Sequence, residues 1–482
     1  MKWRKSSRKQ TTTTEELSSR IQRFELVDAL ANFVSDLRYD DLSAQTIACA
    51  QTFIMDTIAV GVAGKTYDAT DQALAAAQGW GDGSTRVIGR PGILLPRPSA
   101  AFVNGMQIHA LEWDALHEPS VVIAMCVPIA AMVAELDSQA ISGQDLILAT
   151  VLAVEVAVFF GGETSQGPQF FRPATAGGMG AAAALAKLRG FDKTQIIHAL
   201  GLAHAQTAGT MQAHWEGSMA LPMQIGNAAR MAHLAVDMVE AGMSGPIDFI
   251  DGRFGYFRLF ERSDGIEALL TRLGTPFKIT EMAHKPYPAG RATQAALTMV
   301  HELRAQHSFD TEQIEAIEIE MPALSVFLVG RPPEPDMTPS YARLCLRFVV
   351  PLMLRDGGID PRQYQASVFA DPLLRSLGDR MQIVDDGNPD KNALGPQWMK
   401  IRLSDGRTLE SHCDAPIGSP ENPLSEKQCE DKVRHCLELG WDKGDSDSDT
   451  SQTALNNANR LIDAARGLAA TDNARVLLDL VS

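Results

Sequence analysis

The spacing of apolar residues constrains the fold most, because it changes along the chain from a helical period to a strand period and back. Leu26, Leu30 and Phe33 recur every three or four residues, which predicts an amphipathic helix. Residues 317–321 instead alternate apolar and acidic side chains, which is typical of a half-buried strand. The sequence therefore predicts a mainly α protein with one α+β insert.

The insert is also predicted to contain a β-hairpin. Residues 399–403 and 408–410 alternate in the same way and flank the turn sequence Asp405-Gly406, which favours a tight hairpin connection. Helical periodicity over residues 292–305 and 343–354 places helices between the predicted strands. The predicted division is a disordered basic tail over residues 1–24, a helical domain over 25–275, an α+β domain over 276–412 and a helical return over 413–482.

Length, charge and cysteine usage narrow the class of protein. A chain of 482 residues predicts more than one domain, and its net charge of −16 disfavours nucleic acid and anionic membranes as partners. The six cysteines include no C-x-x-C pair, which indicates free thiols in a reducing compartment. The apolar run over residues 146–160 contains polar interruptions and predicts a buried helix, not a membrane span. We expect a cytoplasmic protein, and the basic, Ser/Thr-containing start leaves a mitochondrial location open.

Titratable side chains are concentrated in residues 104–119, which contain His109, Glu112, Asp114 and His117. A helix over residues 107–116 would place His109 and Glu112 on one face. A carboxylate raises the pKa of a neighbouring imidazole and orients the ring, which suits proton transfer near neutral pH. The alternative is a helix with exposed acids and one structural histidine.

Five motifs, in their order and spacing, resemble the MmgE/PrpD family of dehydratases, decarboxylases and epimerases. They are AAFVNGMQIHALEWD at residues 100–114, PATAGG at 173–178, ALGLA at 199–203, GRFGY at 252–256 and KPYP at 285–288. The resemblance implies a large all-helical domain built from both chain ends, a smaller α+β lid domain and a homodimer. It also implies an active site between lid and helical domain that needs neither a metal nor an organic cofactor.

The chemistry implied by this resemblance is proton transfer at a carbon beside a carboxylate, coupled to loss of water, loss of carbon dioxide or inversion. Lys285 matches the family's lid lysine, Glu112 stands where the family has an aspartate, and Asp114 matches the next acidic position. Either His117, at a shifted position in the sequence, provides the imidazole that the family has here, or no residue provides it. The expected catalytic residues are therefore Glu112, Asp114, His117 and Lys285.

The chain also departs from the family pattern. Arg172 stands in place of a histidine, whereas Leu221 and Gln224 replace a lysine and a histidine. An arginine can bind a carboxylate with two hydrogen bonds, but a leucine cannot bind one at all. We expect substrate contacts from Arg172, Gln224, Arg291 and His109, and a substrate less charged or more apolar than a tricarboxylate.

Three functions are consistent with these residues. The first is a cofactor-independent lyase, either a dehydratase or a decarboxylase, that acts on a small carboxylic acid. The second is an isomerase or epimerase that takes the same proton and returns it. The third is a relative that has kept the fold and lost the chemistry.

Overall fold

The fold is mainly α-helical and carries three small sheets among the residues that the structure describes. A computed structural model describes residues 14–162, 166–263, 265–334, 336–441 and 448–482. Its α-helices, numbered in chain order, are α1 Thr14–Asp36, α2 Ala44–Gly64, α3 Asp68–Gln78, α4 Arg97–His109, α5 Cys126–Glu135, α6 Gly143–Gly161, α7 Arg172–Leu188, α8 Lys193–Gln206, α9 Gln212–Glu216, α10 Ala220–Glu240, α11 Tyr256–Leu259, α12 Ile266–Thr271, α13 Gln294–Gln306, α14 Ala323–Val329, α15 Pro339–Arg343, α16 Leu346–Asp356, α17 Ala366–Phe369, α18 Pro372–Asp379, α19 Glu426–Trp441, α20 Ser448–Arg466 and α21 Arg475–Asp479. Its strands are β1 Thr85–Arg86, β2 Leu94–Leu95, β3 Leu116–His117, β4 Met282–Ala283, β5 Ile314–Met321, β6 Met381–Asp385, β7 Gln397–Leu403 and β8 Thr408–Cys413.

The N-terminal segment differs in part from the predicted disordered tail. Residues 1–13 lie outside the described residues, so that part of the tail stays a prediction. The backbone is helical from Thr14, because residues 14–24 contain neither proline nor glycine and begin with acidic residues that suit a helix N-terminus. Helix α1 therefore starts before the predicted domain boundary at residue 25.

A close crossing of α4 and α10 requires glycine on both helices. A Cβ on Gly105 would lie 2.8 Å from the Cα of Gly226, and a Cβ on Gly226 would lie 2.4 Å from the carbonyl oxygen of Phe102. Both distances are shorter than van der Waals contact, so larger residues would push the helices apart. This crossing fixes the position of α4, whose last residue is His109.

Helices α2 and α6 are long and apolar enough to cross a membrane by length and composition. The fold buries 72% of the apolar window of α2 and 89% of that of α6, which is typical of core helices. Helix α6 contains the run for which the sequence predicted a buried helix. It begins at Gly143, where the side chain of Ser142 accepts a hydrogen bond from the backbone N–H of Asp145 and caps the helix.

The predicted strand alternation and hairpin are confirmed in a four-stranded sheet of order β6-β5-β7-β8. Strand β5 is parallel to β6 and antiparallel to β7. Strands β7 and β8 form the hairpin, and Gly406 in its turn has a φ of 89°, which glycine adopts at no steric cost. Alternate residues of β7 are buried, and α13 packs against β7 and β8.

The C-terminal chain packs against the N-terminal helices. Helix α19 lies on α2, where a Cβ on Gly440 would come within 2.4 Å of Cγ1 of Val62, and α20 contacts both helices. The Nζ of Lys432 in α19 lies 2.8 Å from Oδ1 of Asp56 in α2, and both side chains are buried. Helices from the two ends of the chain therefore share one core.

Candidate active site

Two carboxylates, an imidazole and an ammonium group meet in a buried set formed by His109, Glu112, Asp114 and Lys285, which we call the acid–lysine cluster. The Nζ of Lys285 lies 3.0 Å from Oε2 of Glu112 and 3.4 Å from Oδ1 of Asp114. The imidazole of His109 lies between the same carboxylates, with Nδ1 2.9 Å from Asp114 and Nε2 3.3 Å from Glu112. Asp114 is 0% exposed and Lys285 is 1% exposed, so the alternative of exposed acids is wrong.

A sharp turn, not the predicted helix face, forms the cluster. Helix α4 ends at His109 instead of continuing to residue 116. Glu112 has a φ of 53°, a left-handed backbone that is uncommon outside glycine, and the chain turns back there toward His109. Strand β3 then pairs with β4, with Leu116 opposite Ala283, and this pairing brings Lys285 beside the acids.

Mutual attraction favours the charged form of each of the four groups of the cluster. Burial acts to raise the pKa of Asp114 and of Glu112, but the charges of Lys285 and His109 outweigh it and lower both values. Burial acts to lower the pKa of Lys285 and of His109, but the two carboxylates outweigh it and raise both values. Two positive and two negative charges therefore compensate one another inside the fold.

The same side chains bear on whether a metal could bind. Donor atoms of His109, Glu112 and Asp114 lie within 4.8 Å of one another, a spacing that suits a metal ion. The ammonium group of Lys285, however, already supplies a cation to both carboxylates. A divalent ion would have to displace or deprotonate Lys285, whose pKa is raised. The donor set therefore favours an acid–base cluster over a metal centre.

A pocket opens beside the cluster and is lined by Glu112 and Lys285. Its walls come from residues 112–214 of the helical part and residues 285–394 of the segment that carries the large sheet. Much of the lining is apolar and comes from Leu116, Val121, Ile123, Phe171, Met211, Leu328, Val329, Leu344 and Leu394. A pocket with these properties suits a small organic acid that buries hydrocarbon atoms.

Arg172 and Arg291, which the sequence predicted to bind substrate, both line this pocket. Each is already paired with a protein carboxylate. The Nε of Arg172 lies 2.7 Å from Oε1 of Glu261, and Nη2 of Arg291 lies 2.6 Å from Oε2 of Glu118. Both arginines therefore line the pocket, and a carboxylate of the protein already balances the charge of each guanidinium group.

His117 lies away from the acid–lysine cluster. Its Nδ1 is 2.8 Å from Oγ of Ser120, its Nε2 is 3.1 Å from Oε2 of Glu281, and it lines a separate cavity. Successive residues of a strand point to opposite sides, so Leu116 lines the pocket and His117 does not. Proximity in sequence to Asp114 therefore did not bring His117 to the pocket.

Gln224 and His109, also expected to contact substrate, do not line the pocket. The side chain of Gln224 accepts a hydrogen bond from the backbone N–H of Thr210 at 2.6 Å and donates one to its carbonyl oxygen at 3.2 Å. Gln224 thus holds the loop before α9. His109 lies beside Glu112 and Asp114, whose negative charge it balances.

Sequence reasoning missed His214 in α9, a buried side chain that lines the pocket. Its Nδ1 lies 3.2 Å from Nη2 of Arg331. Burial, aided by the charge of Arg331, lowers the pKa of His214 to about 3, so the imidazole is neutral. The available signal was a histidine shortly before Gln224, the position where the family's histidine is lost.

Comparisons with known proteins agree with the sequence motifs. Residues 28–269 match the MmgE/PrpD N-terminal domain, and residues 287–454 match the MmgE/PrpD C-terminal domain. The cis-aconitate decarboxylase of Homo sapiens is 27% identical over 441 residues, which cover 87% of this chain and 90% of that protein. The cis-aconitate decarboxylase of Aspergillus terreus is 24% identical over 428 residues, which cover 83% of this chain and 86% of that protein. With both domains matched in order along most of its length, the chain belongs to the MmgE/PrpD family.

Proposed function

We propose that this protein is a lyase that breaks a bond beside a carboxylate of a small organic acid, without a metal or an organic cofactor. Relatives over most of the chain are decarboxylases, which supports the lyase class. The observation that carries the proposal is the acid–lysine cluster at the wall of a largely apolar pocket. It offers a proton and a fixed electric field at the place where reaction charge would develop.

Within this proposal Lys285 is the proton donor. In a decarboxylation the bond to the departing carboxylate breaks, carbon dioxide leaves, and the bonding electron pair stays on the substrate. A proton from Nζ of Lys285 then forms the new C–H bond, and the lysine regains a proton from water. Glu112 and Asp114 favour the ammonium form, which agrees with the raised pKa of Lys285.

Decarboxylation fits the cluster better than dehydration or isomerisation. Both of those reactions begin when a base removes a proton from carbon. The ammonium form of Lys285 cannot accept one, and the lowered pKa of Glu112 makes that carboxylate a weak base. The pairing of Lys285 with two carboxylates therefore favours the reaction that needs a donor.

The decisive experiment follows the fate of small carboxylic acids, including cis-aconitate, by ¹³C and ¹H NMR in deuterated water. Release of labelled carbon dioxide with deuterium in the product supports decarboxylation. Loss of water without carbon dioxide indicates a dehydratase, and exchange without net loss indicates an isomerase. If a broad panel of mono-, di- and tricarboxylic acids neither binds nor reacts, the non-catalytic alternative gains support.

A matched pair of lysine variants links the result to the cluster. Lys285→Met should lower turnover about 100- to 10,000-fold. Lys187→Met should preserve it, because Nζ of Lys187 donates to the carbonyl oxygen of Ser35 and Lys187 does not line the pocket. Equal turnover in both variants would remove Lys285 from the mechanism.

We also propose a homodimer, which rests on the family membership. Light scattering at micromolar concentration should give twice the mass of one chain. A monomer mass throughout that range would contradict this.

A further inference from the structure

The lysine and the two arginines that line the pocket are each balanced by a protein carboxylate. Lys285 forms ion pairs with Glu112 and Asp114. Arg172 forms one with Glu261, and Arg291 forms one with Glu118. An anionic substrate group would have to displace one of these carboxylates to gain a full ion pair. Separating a buried pair leaves an uncompensated charge, which is strongly unfavourable. Most of the pocket therefore disfavours additional anionic groups.

Two arginines next to the pocket, Arg331 and Arg343, lack such a partner among the described residues. The guanidinium of Arg343 lies against the rings of Tyr67 and Tyr364, whereas that of Arg331 contacts a residue that lines the pocket. In the part of the chain that the structure describes, the guanidinium of Arg331 has no carboxylate within ion-pair distance, and its buried Nη1 has no hydrogen-bond partner. Nη2 donates to Nδ1 of His214 and to the carbonyl oxygen of Leu328, each at 3.2 Å. Glu334 is solvent-exposed and acts on Arg331 only at a distance. The positive charge of Arg331 is thus directed toward the imidazole of His214.

The contact with Arg331 also decides which nitrogen of His214 carries hydrogen. A guanidinium group has no acceptor, so Nδ1 of His214 must accept, and the neutral ring then carries its hydrogen on Nε2. Protonation of Nδ1 would break this bond and place two cations together, which agrees with the pKa lowered to about 3. His214 therefore presents one fixed hydrogen-bond donor from a residue that lines the pocket.

We propose that Nε2–H of His214, polarised by Arg331, binds the carboxylate of a substrate that has one such anchoring group and an apolar body. The inference rests on the proposed function, since it takes this pocket as the active site. His214 is then a substrate-binding residue and Arg331 a positioning residue. Tricarboxylic acids are disfavoured because their further carboxylates would meet Glu112 and apolar walls such as Leu344 and Leu394.

Binding of unreactive saturated acids tests the substrate class without turnover. Isothermal titration calorimetry on the full chain should show that hexanoate binds, and that it binds at least tenfold more tightly than the tricarboxylate tricarballylate. Affinity should rise roughly fourfold for each methylene from butyrate to hexanoate, as expected for a CH₂ group leaving water. Absence of hexanoate binding, or equal or tighter binding of tricarballylate, would overturn the proposal.

Two variants of His214 test the donor. His214→Phe keeps an aromatic ring without the N–H, and should weaken hexanoate binding about tenfold or more. His214→Gln keeps a donor and should weaken binding less. The control is His233→Gln, because His233 is equally a buried histidine but bonds Ala131 and lies outside the pocket. Unchanged affinity in His214→Phe would contradict the assignment.

The role of Arg331 is read from the tautomer of His214. In ¹⁵N NMR of the wild-type protein, Nδ1 should give the shift of an acceptor nitrogen and Nε2 that of an N–H. In Arg331→Met, His214 should populate both tautomers, and hexanoate binding should weaken about tenfold. The control is Arg347→Met, since Arg347 bonds only the backbone carbonyls of Gly378 and Met381 among the described residues. An unchanged tautomer in Arg331→Met would show that Arg331 is merely structural.

Failure of this inference and failure of the lyase proposal are distinguishable. If hexanoate binds through His214 but no acid reacts, the inference stands and the lyase proposal fails. If a tricarboxylate is turned over and binds more tightly than hexanoate, the lyase proposal stands and the inference fails.

Discussion

The ammonium nitrogen of Lys432 lies 2.9 Å from the carbonyl oxygen of Trp113, the residue between Glu112 and Asp114. Lys432 belongs to α19, near the end of the chain, and it also pairs with Asp56 of α2. The turn that carries both acids of the acid–lysine cluster is therefore held by a helix more than 300 residues further along the chain. The helical return takes part in building the site as well as in closing the core.

Lys432→Met should destabilise the protein and lower kcat. It leaves the carboxylate of Asp56 without its buried lysine, and breaking such a pair costs about 3–5 kcal/mol of unfolding free energy. Urea unfolding measures the loss, and Asp56→Asn combined with Lys432→Met should recover part of it. Lys187→Met is the control. An unchanged unfolding midpoint in Lys432→Met would show that the contact is dispensable.

Lys285 and His117 should respond differently to substitution, although the sequence suggested catalytic roles for both. Lys285→Met should lower kcat by about 100- to 10,000-fold, the range typical of general acid–base groups. His117→Gln should leave kcat within a few-fold, because His117 lies with Ser120 and Glu281 at another cavity. Steady-state kinetics, with circular dichroism as a folding check, measures both. A large loss of kcat in a folded His117→Gln protein would restore its predicted role.

Glu155 should make stability fall as pH rises toward neutrality. Burial raises the pKa of this carboxyl in α6 to about 7, although the backbone N–H groups of Gly274 and Lys278 donate to it. The folded state therefore holds a proton that the unfolded state has released above its usual value of 4.5. The contribution to unfolding free energy should decrease by roughly 3 kcal/mol between about pH 4.5 and pH 7 and then level off. Subtracting the Glu155→Gln curve from the wild-type curve isolates this effect, and a flat difference would contradict it.

Treatment with a chelator should leave turnover unchanged. The carboxylates that could bind a metal, those of Glu112 and Asp114, already have the ammonium group of Lys285 between them. Prolonged dialysis against EDTA, with metal content followed by mass spectrometry, provides the measurement. Loss of activity that one divalent ion restores would mean that His109, Glu112 and Asp114 are ligands.

Local sequence determined much of the secondary structure, because the spacing of apolar and polar residues that predicts it involves only residues close together in the chain. The alternation at residues 317–321 and the Asp405-Gly406 turn predicted a strand and a hairpin, and both are confirmed. Motif order along the chain likewise identified the MmgE/PrpD family, and the matches to both of its domains confirm this. Glu112, Asp114 and Lys285 each lie within one of those motifs, and their side chains contact one another in the structure.

Tertiary packing decided what surrounds that group, because the relevant partners are distant in sequence. Arg172 meets Glu261 across 89 residues, and no local pattern indicates that this pair neutralises the expected anchor. A single step along β3 turns His117 away from the pocket that Leu116 lines. His214 reaches the pocket only because α9 is placed there by the helices around it. The sequence thus determined the elements and the reactive side chains, whereas side-chain direction and charge compensation depend on how those elements pack.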